Sequence, residues 1–322
     1  MQIIQGLGSN DITLHGSVVT IGNFDGVHRG HGEIFRHVRR TAGERSAPSV
    51  VVTFDPHPLK VLAPETAPLL LTTLSQKCEL IAAYGIDYLW IIPFSSEFSR
   101  ISARDFVVDR ICRQLGMGHI IIGHDYAFGR NRQGNFTTLQ ELGQQNGFTV
   151  EDLPPIGEGD IIFSSSQVRA AIAGGEMESA ARMLGRQYQL QGTVSKGRQL
   201  GQTIGFPTAN IASANELIPA DGVYAVMVEV RGGLYKGACN IGCNPTVGGN
   251  ARTVEVFILD FSGDLYDRNI SVQFISRLRP VEKFSDITAL KQAIGRDVAT
   301  VRTILEDTNN ITTGTVCALE SI

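Results

Sequence analysis

The chain has 322 residues, 43% hydrophobic and 19% charged, with a net charge of -4 at pH 7. That length exceeds what one core usually organises, so two domains are expected. The acidic balance argues against a nucleic-acid binder, and no apolar run nears the roughly 20 residues that cross a bilayer.

The N-terminus, MQIIQGLGSNDITLHG, lacks the basic flank and apolar stretch of a secretory leader. Five cysteines (Cys78, Cys112, Cys239, Cys243, Cys317) are an odd number, and Cys239 and Cys243 lack a second pair for zinc. Reduced thiols and a cytoplasmic location are expected. The seven histidines (15, 28, 31, 37, 57, 119 and 124) all lie in the first 124 residues, so chemistry in the second half must run without imidazole.

In chain order, the first half alternates strand and helix patterns. Strands are expected at Val18–Ile21, Val50–Phe54, Tyr88–Ile92, Ile120–Ile122 and Phe148–Leu153. Between them, Gly32–Arg40, Thr73–Tyr84 and Ser102–Leu115 carry helical spacing, the last opening on a capping-box-like Ser102-x-x-Asp105. Short strands without strong alternation, separated by helices, predict a parallel sheet covered on both faces. Ser166–Ala173 and Glu176–Leu184 are read as two short helices closing this unit, a domain over residues 1–185.

From Gln187 the pattern becomes strand and turn. Tyr224–Val230 and Leu234–Ile241 read as a hairpin with the three-residue loop Arg231-Gly232-Gly233, and Thr253–Phe261 with Ile270–Arg277 as a second. A helix capped by Ser285 follows, with Ile287, Leu290, Ile294, Val298, Val301 and Ile304 on one face. Residues 186–306 therefore predict a small, mostly antiparallel β-barrel with a C-terminal helix, and 307–322 a tail. The fold class is α/β, with a Rossmann-like parallel sheet followed by this barrel.

Ligands of an open parallel sheet bind where loops leave the carboxyl ends of the strands. The segment GNFDGVHRGH (22–31) falls at such a place, between a strand and a helix N-terminus that offers free N–H groups. His28 and His31, three apart, can both face a phosphate there and donate to charge developing on phosphorus. The competing reading is a Gly-rich turn with two surface histidines; zinc is disfavoured, since no third ligand stands at the right spacing. Thr53-Phe54-Asp55-Pro56-His57-Pro58 forms a stiff loop after the second strand. The 123–134 loop mixes aromatics, an Asp and arginines, a suitable lining for a flat ring carrying phosphate. Ser164-Ser165-Ser166 with Arg169 offers hydroxyls, N–H groups and a cation to a polyphosphate.

These four segments, in this order, resemble the adenylyltransferase half of the bacterial bifunctional riboflavin kinase/FAD synthetase family, over about 17 to 184. The resemblance implies that His28 and His31 stabilise adenylyl transfer from ATP, within a nucleotide loop shaped by Gly22, Asn23, Phe24 and Asp25. It implies that Ser164, Ser165, Ser166 and Arg169 hold ATP phosphates, with Arg169 assisting catalysis. Phe54, Pro56, Pro58, Asp125, Phe128 and Arg132 would border the flavin. The family usually has Thr where Ser166 stands. Asp25 either orients His28 or holds the turn.

In the His-free half, GRQLGQTIGFPTANI (197–211) sets Gly197, Gly201 and Gly205 in a flexible loop that ends at Pro207. Thr208 and Asn210, two apart in an extended segment, share one face and offer hard oxygen ligands to Mg²⁺ held by nucleotide phosphates. A base for a substrate alcohol must then be a carboxylate. Glu255 sits in an otherwise apolar strand, where alternation alone would point it to solvent. PTANI, Asp221-Gly222-Val223-Tyr224, Asn240-Ile241-Gly242 with Asn244-Pro245-Thr246, and VEVFILDF resemble the riboflavin kinase domain of the same family, over about 187 to 304. The resemblance implies Thr208 and Asn210 as ligands of the Mg²⁺-nucleotide and Glu255 as the base on the riboflavin 5′-hydroxyl. It places Asn240 and Thr246 with the glycines and Pro207 around ATP and flavin. Gln202 stands where the family often has Arg, and Phe257 where it commonly has His.

Riboflavin, FMN, FAD and ATP are thus the expected substrates and products, with Mg²⁺ as cofactor. No nucleic-acid or membrane partner is expected, and the sequence leaves the oligomeric state open. Two rivals are a transferase acting on a nicotinamide or pantetheine phosphate, which would not need the barrel, and a flavin carrier with degenerate sites.

Overall fold

A computed structural model describes residues 1–6, 14–124, 126–159, 161–196, 200–243 and 252–307. The expected positions Asp125, Gly197 and Thr246, and nearly all of the 307–322 tail, lie outside the described residues. The chain divides into two compact units, Met1–Ser164 and Ser165–Ile322.

In the first unit six described strands form one sheet: β1 (Gln2–Gln5), β2 (Ser17–Ile21), β3 (Ser49–Asp55), β4 (Tyr88–Pro93), β5 (Met117–Gly123) and β6 (Thr149–Leu153). Every pairing in it is parallel, in the order β1-β4-β3-β2-β5-β6. From β2 the chain runs outward through β3 and β4, then returns to the other side of β2 for β5 and β6. That reversal leaves a crevice at the carboxyl ends of β2 and β5, the place where such sheets bind ligands.

Successive strand residues point to opposite faces, and both faces are dry. Val18, Val51, Leu89 and Ile121 pack on one side against Phe35 and Val38 of α1 (Arg29–Glu44). Val19, Val50, Val52, Trp90, Ile120 and Ile122 pack on the other against Phe106, Ile111 and Leu139. Each such Val, Ile or Leu contributes about 1.5–3 kcal/mol by leaving water, which is why the runs lack polar alternation.

Between β3 and β4 lie the short α2 (Pro58–Leu62) and α3 (Leu74–Ala82). Thr73 caps α3 with a full capping box: its hydroxyl accepts from Gln76 N at 3.2 Å, and Gln76 Oε1 accepts from Thr73 N at 2.9 Å. The expected Ser102–Leu115 helix forms over 103–115, with Ser102 Oγ accepting from Asp105 N and a π-helical stretch at Phe106–Cys112. β1 was not anticipated: it is four residues long and buries only Ile4, too little for a periodic signal. A two-stranded hairpin, β7 (Gly157–Glu158) with β8 (Ile161–Ile162), is likewise too short to read.

In the second unit, six described strands close an antiparallel barrel: β9 (Tyr188–Ser195), β10 (Thr208–Ser213), β11 (Gly222–Val230), β12 (Gly233–Cys243), β13 (Arg252–Ile258) and β14 (Asn269–Arg279). The β11–β12 loop has two residues rather than the expected three. Arg231 (φ 51°) and Gly232 (φ 78°) take the positive φ pair of a tight hairpin, and Gly233 already pairs with Val230. The last helix, Ile287–Asp307, is capped by Asp286, whose Oδ1 accepts from Ala289 N at 2.8 Å; Ser285 instead donates to Asp286. This helix lies on the outer face of the barrel, where Val301 and Leu305 meet Ala225, Met227 and Ala238. The helices Ser165–Gly174 and Met177–Leu184, read from sequence as closing the first unit, group with the second. Met183 and Leu184 there are buried.

Candidate active sites

The first site grows from the turn after β2. Phe24 (φ 48°), Gly26 (φ 78°) and Val27 (φ 41°) all adopt left-handed backbone, so three residues within four reverse the chain sharply into α1. Two of them are side-chain bearing, a strained conformation costing of order 1–3 kcal/mol each, which burial of Phe24 and Val27 opposes. A Cβ on Gly26 would stand 2.5 Å from Leu71 Cδ1, so only glycine fits between the turn and the chain leading into α3.

His28 is the N-cap of α1. Its Nδ1 accepts from His31 N at 3.4 Å, which in the neutral ring leaves the proton on Nε2 as a donor. The His28 and His31 rings stack with centroids 3.6 Å apart, and Phe24 meets His31 edge-on at 5.2 Å. The structure thus brings His28, His31 and Phe24 together at a helix N-terminus, beside Gly22 and the exposed Asn23. Positive helix-end charge and two imidazoles at one point favour a bound phosphate.

The bonds of Asp25 hold the turn. Asp25 is 2% exposed, and its carboxylate accepts from Leu71 N at 3.1 Å and from Thr72 N at 3.3 Å. Thr72 Oγ1 in turn accepts from Gly26 N at 3.3 Å. These bonds fasten the turn to the segment before α3.

The Thr53–Pro58 loop leaves the neighbouring β3. Thr53 Oγ1 donates to Asn23 O at 3.2 Å, joining it to the turn after β2. The Asp55–Pro56 peptide is cis, and His57 caps α2 by accepting from Leu59 N. Phe54 opens an aromatic wall with Phe94 (5.7 Å), Phe98 (6.2 Å) and Phe106 (6.3 Å). Phe128 is buried at the far end of that wall, 6.2 Å from Phe106 and stacked on Tyr126 at 5.4 Å. Burial pushes the Tyr126 phenol up, and its hydroxyl has no hydrogen-bond partner among the described residues. Arg132 is exposed in the same loop. The sequence reading missed Phe94, Phe98 and Phe106, which lie outside the polar motifs; their shared aromatic character was the available signal. Ser164 ends the first unit, while Ser165, Ser166 and Arg169 occupy the helix Ser165–Gly174 of the second.

The second site is written in strand register. Asn210 of β10 pairs with Glu255 of β13, which pairs on its other side with Asn240 of β12. One step along, Thr208 pairs with Phe257, which pairs with Ala238. These two rows share the outer face of the barrel, because the alternate residues Val254, Val256 and Ile258 fill its interior. Glu255 therefore faces not open solvent but a cavity of about 320 Å³ that Thr208, Asn210 and Asn240 also line.

The last helix and the residues before it complete the cavity wall with Phe284, Leu290, Ile294 and Asp297. Arg279, at the end of β14, donates to Asp297 through Nε (2.9 Å) and Nη2 (2.7 Å). That hydrogen-bonded pair raises the guanidinium pKa further and fixes the helix at the cavity rim. Gly201 accepts from Ile204 N and Phe206 N, and a Cβ there would come 3.3 Å from Thr208 Oγ1. Gly205 (φ 90°) and the exposed Pro207 connect this turn to β10. Phe257 meets Phe206 edge-on at 5.4 Å and makes this end of the cavity apolar. Hard oxygens from Thr208 and Asn210 beside one carboxylate fit a divalent cation carried in on nucleotide phosphates.

Comparisons with known proteins agree with this division. The family model for FAD synthetase matches residues 11–167, and that for riboflavin kinase matches residues 184–305. A bifunctional riboflavin kinase/FMN adenylyltransferase of Pseudomonas fluorescens is 40% identical over 94% of this chain and 98% of that protein. One from Escherichia coli strain K12 is 37% identical over 94% of this chain and 97% of that protein. A crystal structure described as a macrolide-efflux protein from Streptococcus pneumoniae matches with a TM-score of 0.85 at 30% identity, covering 94% of this chain and 99% of that one. No helix among the described residues is long and apolar enough to cross a membrane.

Proposed function

The chain belongs to the family of bifunctional riboflavin kinase/FMN adenylyltransferases, and we propose that its two reactions run at the two sites just described. It phosphorylates riboflavin with ATP to give FMN, and adenylylates FMN with a second ATP to give FAD. The observation that carries the assignment of residues is the register row Asn210–Glu255–Asn240 facing one cavity.

In the kinase reaction, Glu255 takes the proton of the riboflavin 5′-hydroxyl as its oxygen bonds to the γ-phosphorus. The bond from that phosphorus to the β–γ bridging oxygen breaks, and ADP leaves. Thr208 and Asn210 would hold Mg²⁺ on the nucleotide, and the bound cation would neutralise phosphate charge. Asn240 and the apolar wall orient the flavin.

In the adenylyl transfer, an FMN phosphate oxygen bonds to the α-phosphorus of ATP, the α–β bridging bond breaks, and pyrophosphate leaves. FMN is its own nucleophile, so the chain supplies position and charge. His28 and His31 donate to the oxygens that gain charge at the α-phosphorus. The aromatic wall from Phe54 to Phe128, with Pro56, Pro58 and Arg132, borders the flavin. Asp125, Ser164, Ser165, Ser166 and Arg169 are retained for this site, and Gly197 and Thr246 for the kinase, on the sequence pattern alone.

We assign residues 1–185 to adenylyl transfer and 186–306 to the kinase, supported by the change of family model between residues 167 and 184. Unpaired thiols at Cys78, Cys112, Cys239 and Cys243 support a cytoplasmic location.

The experiment is a Mg²⁺ titration of FMN formation in Thr208→Val. Losing one oxygen ligand raises the Mg²⁺ needed for half-maximal rate and leaves FAD formation from supplied FMN unchanged. An unaltered Mg²⁺ requirement would remove Thr208 from the metal-nucleotide site.

A further inference from the structure

The Asp221-Gly222-Val223-Tyr224 segment has no part in either reaction so far, yet the chain around it is closely fastened. Between β10 and β11, five consecutive carbonyls, Leu217 to Asp221, each accept from a side chain of a barrel strand. Tyr188 of β9 donates to Leu217 O (2.7 Å) and Tyr224 of β11 to Ala220 O (2.6 Å). Arg252, the first residue of β13, donates through Nη1 to Ile218 O (3.2 Å) and through Nη2 to Pro219 O. Arg277 of β14 donates to Asp221 O. Loop carbonyls commonly turn to water, so a connection held by four strands has little freedom to move.

Each position of the segment contributes. Arg252 also donates through Nε to Asp221 Oδ1 at 2.8 Å, so one guanidinium grips a carboxylate and two carbonyls. A Cβ on Gly222 would stand 2.7 Å from Arg277 Nε, so glycine leaves room for that side chain. Val223 lines the kinase cavity and extends the register row of Glu255, pairing with Asn240 on β12 and with Arg279 on β14. Asn210, Glu255, Asn240, Val223 and Arg279 thus give the cavity one residue from each of five neighbouring strands.

Glu255 sits where this row is least supported. β10 pairs with β13 at Thr208–Phe257, Ala209–Val256 and Asn210–Glu255, and there the ladder ends. Residues 252–254 therefore keep a strand partner only on β12, with Arg252 opposite Cys243. The grip of Arg252 on 218–221 is a second support. It joins the end of β13, three residues before Glu255, to the segment that enters the cavity wall at Val223.

We propose that Arg252 is a positioning residue for riboflavin phosphorylation, its fork holding the open end of β13 so that Glu255 keeps its place against the alcohol it deprotonates. This rests on Glu255 being the base. Arg252 itself neither touches substrate nor carries the proton. A general base works only within hydrogen-bond reach of its proton, and a misplacement near 1 Å costs roughly a hundredfold in rate. The Arg252–Asp221 pair is partly exposed, so it adds little to stability and its loss is felt in geometry before it is felt in unfolding.

The test measures FMN formation in the full chain with Arg252→Gln, Glu255→Gln and the double variant, and FAD formation from supplied FMN as the control. Arg252→Gln is expected to lower kcat for FMN formation roughly tenfold, leaving KM for ATP and the rate of FAD formation within about twofold. Because the arginine acts through the base, adding Arg252→Gln to Glu255→Gln should cost less than about twofold more. An unchanged kcat in Arg252→Gln overturns the proposal. So does a fall of the same size in the Glu255→Gln background, which marks loss of folded barrel rather than of position. Glu255→Gln alone separates the failures. Full FMN formation in that variant removes the base and the role of Arg252 with it, whereas a slow Glu255→Gln beside an unchanged Arg252→Gln refutes the arginine alone.

Discussion

The two halves build phosphate chemistry from opposite materials. In the first unit the groups sit in loops at the carboxyl edge of a parallel sheet, with His28 and His31 on one helix N-terminus. In the second they sit on the strands themselves, where pairing of β10, β13 and β12 lines up Asn210, Glu255 and Asn240. A helix end supplies backbone donors and partial positive charge, so imidazoles there can serve charge that develops on phosphorus. A barrel face supplies neither, so in the proposed reading it would rely on a carboxylate for the proton and on oxygen ligands for a cation. The difference follows the chemistry: an alcohol nucleophile must lose a proton, whereas a phosphate nucleophile need not.

Substitutions that affect one half alone sharpen this contrast. Glu255→Gln should have the largest effect, lowering kcat for FMN formation by about 10²–10⁴, the usual worth of a general base, with FAD formation from FMN intact. Equal loss in both assays would break the division. His31→Ala should follow, lowering FAD formation by about 10²–10³ through loss of one transition-state donor, while FMN formation continues.

A smaller effect is expected at the barrel rim. Asp297→Ala removes the two carboxylate oxygens that accept from Arg279 Nε and Nη2, which should cost about 1.5–3 kcal/mol in thermal or denaturant unfolding of the barrel unit and raise KM for riboflavin. KM for FMN in adenylylation should not move; if it does, the rim does not act on the kinase cavity alone.

The smallest effect separates the units by pH. His119, 5% exposed on β5, accepts or donates at Thr149 Oγ1 (2.6 Å) and lies 3.2 Å from Glu151 Oε2. Burial lowers its pKa below the ordinary 6.5, with Glu151 opposing. The unfolded chain then binds the proton more readily, so the stabilisation from neutral His119 is complete above pH 6.5 and is lost as pH falls through the lowered value. The first unit should lose melting temperature between pH 7.5 and 5.5, and His119→Gln should flatten that loss. The His-free barrel should show no counterpart, which unfolding followed separately in each unit would check.

The contrast also explains what the sequence made legible. A site carried by contiguous loops appears as motifs, and GNFDGVHRGH could be placed between a strand and a helix before any coordinates. Asp25 could not be resolved, because its partners Leu71 and Thr72 lie 46 and 47 residues away. In the barrel, alternation alone would have put Glu255 in solvent, since the pattern separates inside from outside but not an open face from one roofed by a helix. The roof itself, Arg279 with Asp297, joins residues 18 apart across a strand end and a helix. Ser285 and Asp286 show the limit at a single position, where two good capping residues stood side by side and only the hydrogen bond to Ala289 distinguishes them.

The most direct measurement is complementation between two defective proteins. Glu255→Gln and His31→Ala are each incubated with riboflavin, ATP and Mg²⁺, alone and as an equimolar mixture, and the flavins are separated by chromatography. With independent sites, His31→Ala alone accumulates FMN, Glu255→Gln alone leaves riboflavin unconverted, and the mixture makes FAD. A mixture that forms no more FAD than either protein alone, with both variants folded, would contradict two separable sites.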